Sequence, residues 1–379
     1  SLLDRKIIEF IPPDERGSYL RVNVELQEDF SLDQTLSLYL IDTLQLLDPA
    51  APDYALDLLT LVESILEDPE VILRKQLDRL KAQRLAEMKQ EGLDYLERME
   101  ELEKLEYPKP RRDFIYSTFN QFAALHPWVG EENIRPKSIA REMYESFRSF
   151  ADYIRDYELQ RVEGVLLRHL ASVYKVLAQT VPESAKTEPL REMELYFGSM
   201  VRQVDSSLLE EWSRLRQGGY APEPVPTATS PQGPQEPVET DVTRDPAGFL
   251  RQLRNEIFGF LRAWATGEFA PALDRLDSLQ DAEGRTWTTD SLSAALLEYG
   301  KEHLRLCLDP EARNLRHTHV TVAEDAKSWQ VAQTLVDPQE LNDWSADFFV
   351  DIVKSRQAGR PILSLLRLGS LAASIREGN

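Results

Sequence analysis

Three basic residues, Arg161, Arg168 and Lys175, follow one another at intervals of seven in an apolar segment. Residues seven apart drift by only about 20° per step around a helix, so these three are predicted to lie along one face. A row of cations on one face could neutralise the phosphates of a nucleic acid. The opposite face is apolar, with Val162, Val165, Leu166, Leu170, Val173 and Leu177. A second interpretation is open, in which the three cations form ion pairs with nearby acids such as Glu158 on a solvated face.

Two further basic residues, Arg135 and Lys137, stand on either side of a proline. They come just before an amphipathic pattern that predicts one helix from about Ser138, its candidate N-cap, to Ile154. Backbone N–H groups at the start of a helix favour anions. Arg135 and Lys137 are therefore candidate phosphate contacts, ranked below the Arg161 face.

The overall charge limits how such contacts could work. A net charge of −21 repels polyanions at long range, so a nucleic-acid contact has to be local. The single cysteine, Cys307, cannot form an internal disulfide or anchor a cysteine-based zinc site, which fits a reducing, cytoplasmic setting. No apolar run approaches the length of a membrane span, and the first ten residues lack the pattern of a signal peptide. No membrane partner is predicted.

Catalytic motifs are missing from the sequence. It contains no GxxxxGK[ST], GxGxxG, GxSxG or HExxH, so no catalytic residue and no cofactor are predicted in this chain. His317 and His319 fall on one face of a predicted strand, but without a third ligand nearby no metal site is predicted. Asp347 and Asp351 could do acid–base work in a pocket, although exposed strand carboxylates are the ordinary expectation.

The domain organisation follows from composition. Residues 217–246 hold seven prolines and three glycines with few apolar side chains, which predicts a flexible linker. Residues 1–216 are predicted to form an all-α helical domain after a short strand-like opening in "YLRVNVEL". Residues 247–379 begin with three helical patterns and continue with four strand patterns. They predict a small α+β domain with a four-stranded antiparallel sheet, like the cystatin-like cones related to nuclear transport factor two. "RQAGR", residues 356–360, is predicted to be a hairpin turn between two strands.

One segment of the helical domain has separated charges. Six basic and two acidic residues lie between Arg74 and Lys89, and seven acidic and two basic residues lie between Glu91 and Glu106. A turn at Gly92 would fold the segment into a charge-complementary helical hairpin. The alternative is one long solvated helix, because an isolated glycine weakens a helix by only about 1 kcal/mol.

Long strings in this chain resemble a known family. Residues 22–44, 102–145 and 337–355, including "HPWVGEENIRPKSIAREMYE", are similar to the large C-terminal tail of a bacterial family of DEAD/DEAH-box superfamily II helicases. That tail is classed as a domain of unknown function. The resemblance implies that two RecA-like motor domains, which hold ATP and Mg²⁺, precede Ser1 in a longer parent protein.

A weaker resemblance concerns "EGVLLRHLASVYKVLAQTV", residues 163–181. It is similar to a helix in the C-terminal helical domain of exosome-type (Mtr/HelY-like) RNA helicases, matching at Glu163, Gly164 and Arg168. In that family the domain lines the exit path of the single strand. The resemblance implies an accessory region that guides single-stranded RNA or DNA leaving the motor. Two other functions are open: a module that recruits RNA-processing or ribosomal proteins, and a small-molecule site in the C-terminal cone.

Overall fold

The computed structural model describes residues 8–14, 17–22, 36–129, 132–204 and 241–371. The candidate linker at 217–246 lies outside the described residues except for its last six. These six residues precede and begin a helix, and Arg356 pairs with Asp241 at 3.1 Å. Two compact units are formed, one from residues 1–143 and 149–221 and the other from residues 144–148 and 222–379. No helix in the described ranges is long and apolar enough to span a membrane.

The first unit is helical after an antiparallel hairpin of β1 (Ile8–Asp14) and β2 (Gly17–Val22). Its helices are α1 (Ser37–Leu44), α2 (Tyr54–Ser64), α3 (Glu70–Gln90), α4 (Tyr95–Glu103), α5 (Arg112–Leu125), α6 (Ile139–Glu145), α7 (Phe150–Asp156), α8 (Glu163–Gln179) and α9 (Glu188–Val204). Helix α8 packs on α2 and α9. Leu58, Val62, Leu166, Leu170 and Val173 are fully buried in this core. Burial of such side chains contributes about 1.5–3 kcal/mol each, which fixes the orientation of α8.

The charged segment forms a helical hairpin rather than one long helix. Gly92 has φ +79°, a conformation that favours glycine and ends α3. Asp94 then caps α4 by accepting from the N–H of Glu97 at 2.9 Å. Lys104 lowers the pKa of the Glu101 carboxyl, and Arg84 on α3 adds to that effect. A charge on one helix thus acts on the other, as expected for two helices that fold back on each other.

The helix predicted from Ser138 to Ile154 is interrupted. Helix α6 ends at Glu145, and Phe147 adopts φ +47°. Ser149 starts α7 with its own capping box to Asp152. The prediction of one continuous helix is therefore wrong, because the local cap outweighs the continuing apolar period.

The second unit is α+β, as predicted. Its helices are α10 (Pro246–Ala265), α11 (Phe269–Leu273), α12 (Thr289–Tyr299) and α13 (Ile352–Ala358), and its strands are β3 (Thr318–Val322), β4 (Ser328–Leu335), β5 (Trp344–Asp351) and β6 (Leu363–Ser370). The strands pair in the order β3-β4-β5-β6, each antiparallel to the next. Phe260 of α10 packs edge-on against Phe348 of β5, with ring centroids 5.7 Å apart. Three helices followed by a four-stranded meander confirm the predicted order.

One predicted turn is a helix instead. Residues 356–358 of "RQAGR" lie in α13, which ends where Gly359 takes φ +65°. Asp351 caps this helix by accepting from the N–H of Lys354 at 2.9 Å. Glycine at the C-terminal end and an acid at the N-terminal end were both visible in the sequence, but the helix is only seven residues long.

Candidate nucleic-acid interface

Helix α8 carries two of the three predicted strand-binding cations. Arg168 is exposed and Lys175 is half-buried on α8. Arg161 is exposed in the turn before the helix, because α8 begins at Glu163. The prediction that all three lie on one helix face is therefore wrong for Arg161. Of the six apolar positions predicted opposite them, Leu166, Leu170, Val173 and Leu177 are buried, and Val162 and Val165 are half-buried.

The acid proposed to neutralise these cations is engaged elsewhere. Glu158 pairs with Lys75 of α3 at 3.1 Å. Within the described residues, neither Arg161 nor Arg168 forms an ion pair with an acid. Among the residues that the structure describes, these two arginines therefore do not form the paired face of the alternative interpretation.

Arg135 and Lys137 have structural partners. Arg135 pairs with Asp68 at 3.1 Å and with Glu70 at 2.8 Å, next to the start of α3. The side chain of Lys137 has no exposed surface. Its ammonium donates to the carbonyl oxygens of Glu63 at 2.9 Å and Leu66 at 2.6 Å and lies 2.8 Å from Asp68. Burial lowers the pKa of Lys137.

The two candidates therefore stand apart from the α8 cations. A cation without exposed surface cannot reach a phosphate, so Lys137 is corrected from a candidate contact to a buried connector between the α2–α3 loop and α6. Arg135 is partly exposed but holds two acids of its own. Neither residue is retained in the interface proposed below.

The start of α6 is capped by a residue from another helix. Glu63 of α2 is fully buried and accepts from the N–H groups of Ile139 at 2.9 Å, Ala140 at 2.8 Å and Arg141 at 3.0 Å. Ser138, the predicted cap, instead donates its hydroxyl to the carbonyl of Pro108. The anion that favours this helix start is thus a side chain of the protein, which leaves no room for a phosphate there.

Glu63 also positions a histidine on α8. His169 Nε2 lies 3.0 Å from Glu63 Oε1, and the imidazole donates because a carboxylate only accepts. The ring makes no other hydrogen bond within the described residues. Glu63 and His169 each interrupt an apolar run in the sequence, "LLTLVESILED" and "VLLRHLASV". Since buried polar groups are almost always hydrogen-bonded, two such interruptions were the available signal for this pair.

A cleft of about 330 Å³ opens beside His169. It is lined by Leu66, Glu67, Asp68, Pro69, Val165, Arg168, His169 and Ser172. The α2–α3 loop forms one wall and α8 the other, so the packing of α2 on α8 sets its width. Arg168 belongs both to the predicted series of cations and to the lining of the cleft.

The candidate acid–base and metal-binding residues of the second unit do not come together in a site. Asp347 pairs with Arg367 across β5 and β6 at 2.8 Å, and Asp351 caps α13. His317 ends a 3-10 turn and His319 lies in β3, so they do not share a strand. Within the described ranges no group of three His, Cys, Asp or Glu could hold a metal ion.

Together these features define a two-unit, acidic protein that combines a helical unit, with a charged hairpin and a small cleft, and an α+β unit. The chain belongs to the DUF3516 family, described as a domain of unknown function, whose profile matches residues 1–368. No curated protein and no solved structure matches the chain.

Proposed function

We propose that this chain is the C-terminal accessory region of an ATP-dependent superfamily II helicase, where it guides single-stranded nucleic acid leaving the motor. The observation that carries the proposal is the exposure of Arg161 and Arg168 and their lack of an acidic partner among the described residues. Both are exposed and, within the described residues, neither is paired with an acid, although the chain has a net charge of −21. Exposed cations without an acidic partner among the described residues of so acidic a protein favour an anionic ligand. ATP and Mg²⁺ belong to the motor domains of the proposed parent, and the setting is cytoplasmic.

The small number of candidate cations favours guidance rather than capture. Each phosphate neutralised on a single strand contributes about −0.7 to the slope of log K against log salt. Arg161, Arg168 and Lys175 together would give a slope of only about −2. Binding this weak is useful for a strand that the motor already holds, and it would not sequester a free strand.

Charge reversal in the parent helicase tests the proposal. Replacing Arg161, Arg168 and Lys175 with glutamate should lower strand-stimulated ATP hydrolysis and unwinding, while hydrolysis without nucleic acid stays unchanged. The matched control reverses three exposed lysines of the second unit, Lys301, Lys327 and Lys354, which adds the same negative charge elsewhere. If both triple variants behave like the wild type, Arg161, Arg168 and Lys175 do not guide the strand.

A second candidate function is a protein-interaction module. Helix α4 buries none of its residues and exposes Tyr95 and Leu96 by 65 % and 70 %. Exposed aromatic and aliphatic side chains on a charged hairpin favour a protein partner, such as an RNA-processing or ribosomal protein. Leu96→Glu should then abolish co-purification of the partner and leave strand-stimulated hydrolysis intact, which separates this function from the first.

A further inference from the structure

We infer that the cleft between the α2–α3 loop and α8 binds one ribonucleotide, with its phosphate on Arg168. The inference rests on the proposed function in naming the ligand class, since the cleft adjoins the α8 cations. It goes beyond that function by assigning a discrete site that selects RNA over DNA. The residues that line the cleft carry the argument.

The size and walls of the cleft fit a small, partly flat ligand. A volume of about 330 Å³ is at the lower end of the range of about 300–1,000 Å³ that small-molecule sites occupy. Val165 is half-buried and, with the buried side chains of Leu66 and Pro69 behind it, supplies apolar surface against which a nucleobase can pack. An inorganic anion alone would leave this apolar surface without a partner.

Arg168, the cation in the lining of the cleft, suits a phosphate. Arg168 is exposed and, as far as the structure describes the chain, unpaired, so its guanidinium is available to two phosphate oxygens. His169 is only 6 % exposed, and its Nδ1 has no hydrogen-bond partner in the described residues. The buried Glu63 carboxylate accepts from Nε2–H and so fixes the orientation of the ring beside the cleft. Ser172, one turn along α8 from Arg168, adds a hydroxyl.

The two acids of the cleft explain why a nucleotide fits better than a bare phosphate. Asp68 is held by Lys137 at 2.8 Å and by Arg135 at 3.1 Å, so its charge is compensated. Glu67 is exposed and, in the part of the chain that the structure describes, has no ion pair. Carboxylates accept hydrogen bonds from ribose hydroxyls, as in nucleotide-binding folds. Glu67 would therefore recognise the ribose, and the 2′-hydroxyl gives a means of discriminating RNA from DNA.

Titration calorimetry on the full 379-residue chain tests the inference. Ribonucleoside 5′-monophosphates should bind about tenfold more tightly than inorganic phosphate and several-fold more tightly than the 2′-deoxy forms, as expected for one or two added hydrogen bonds. Glu67→Gln should remove the preference for ribose and retain the binding of the phosphate. Equal affinity for ribose and deoxyribose forms, or equally tight binding of a phosphoserine peptide, would overturn the assignment.

A cleft-filling variant separates the site from general electrostatics. Ser172→Phe fills the cleft and keeps every cation, so nucleotide affinity should fall at least about tenfold. Gln179→Phe, on the same helix but outside the cleft, should leave it unchanged. Thermal melting confirms that both variants fold. If Ser172→Phe folds and still binds nucleotide normally, the cleft is not the site.

The source of the nucleotide is settled by oligoribonucleotides with and without a terminal phosphate. Tighter binding of the phosphorylated form identifies a strand end, and equal affinity identifies an internal nucleotide.

The nucleotide site in the cleft and the proposed guidance of the strand can fail independently, and two variants distinguish them. Arg161→Glu with Lys175→Glu spares the cleft, so loss of stimulated hydrolysis with normal nucleotide binding supports guidance alone. Nucleotide binding that depends on Ser172, without any effect of that double variant, supports the cleft alone.

Discussion

Glu63 of α2 is fully buried and forms hydrogen bonds with both α6 and α8. Its carboxylate accepts three N–H groups at the start of α6 and the imidazole of His169, and its carbonyl oxygen accepts from Lys137. Removing one partner of a buried charged network is more destabilising than removing an exposed pair, because the remaining groups lose both the bond and their hydration. The orientation of His169 and the start of α6 therefore depend on the same carboxylate.

Glu63→Gln tests that dependence. The amide keeps the size of the side chain but places an NH₂ group against N–H donors, so the free energy of unfolding should fall by about 3 kcal/mol. Urea unfolding followed by far-ultraviolet circular dichroism measures the change. Glu67→Gln, four residues along in the exposed part of the loop, should change it by less than about 0.5 kcal/mol. A similar small change in both variants would mean that Glu63 does not stabilise the fold.

The sequence predicted exposed cations better than it predicted buried ones. The spacing of Arg168 correctly predicts its exposed position on α8, because an amphipathic helix separates charged and apolar faces by a fixed period, whereas its role in binding stays a prediction. Lys137 was misassigned, because a lysine before a helix looks the same whether its ammonium meets water or two carbonyl groups. The partners that bury it, Glu63 and Leu66, lie more than 70 residues away in the chain. Such contacts depend on tertiary packing and leave no local pattern.

The turn of the charged hairpin depends on one glycine. Gly92 has a positive φ, whereas Gly164, in the first turn of α8, has a helical backbone and open space where a Cβ would lie. Glycine adopts positive φ without the steric cost that other residues have there, and in a helix it is less favourable than alanine. Substitution by alanine is therefore expected to destabilise the chain at Gly92 and to stabilise it at Gly164.

Replacing each glycine with alanine tests this contrast. Gly92→Ala should lower the stability of the hairpin by about 1 kcal/mol, and Gly164→Ala should raise the stability of the helical unit by about 0.5 kcal/mol. Amide hydrogen exchange in α4 and α8 reports the two effects separately. Faster exchange in α4 for Gly92→Ala and slower exchange in α8 for Gly164→Ala is the expected pair. Unchanged exchange in α4 would show that the turn does not need glycine.

Helices and strands whose hydrophobic pattern repeats over many residues were predicted well, and short elements were not. The four strands and the long helices α8 and α10 follow patterns that extend over several turns or alternations. Helix α13 and the break at Phe147 occupy only a few residues, so caps and backbone conformation decide them rather than periodicity. The cleft could not be predicted, because its walls come from a loop and a helix about 100 residues apart in the chain.

The net negative charge of the whole chain lowers its affinity for a free strand. With a net charge of −21 and only three candidate cations, binding of single-stranded RNA should be weak at physiological salt. Fluorescence anisotropy at 25–200 mM salt should give a slope of log K against log salt of about −2, because only about three counterions are released. Reversing Arg161, Arg168 and Lys175 should abolish measurable binding, while reversing Lys301, Lys327 and Lys354 should retain the slope. A slope steeper than about −4 would instead require additional phosphate contacts from another basic surface, such as α3, because three cations cannot release that many counterions.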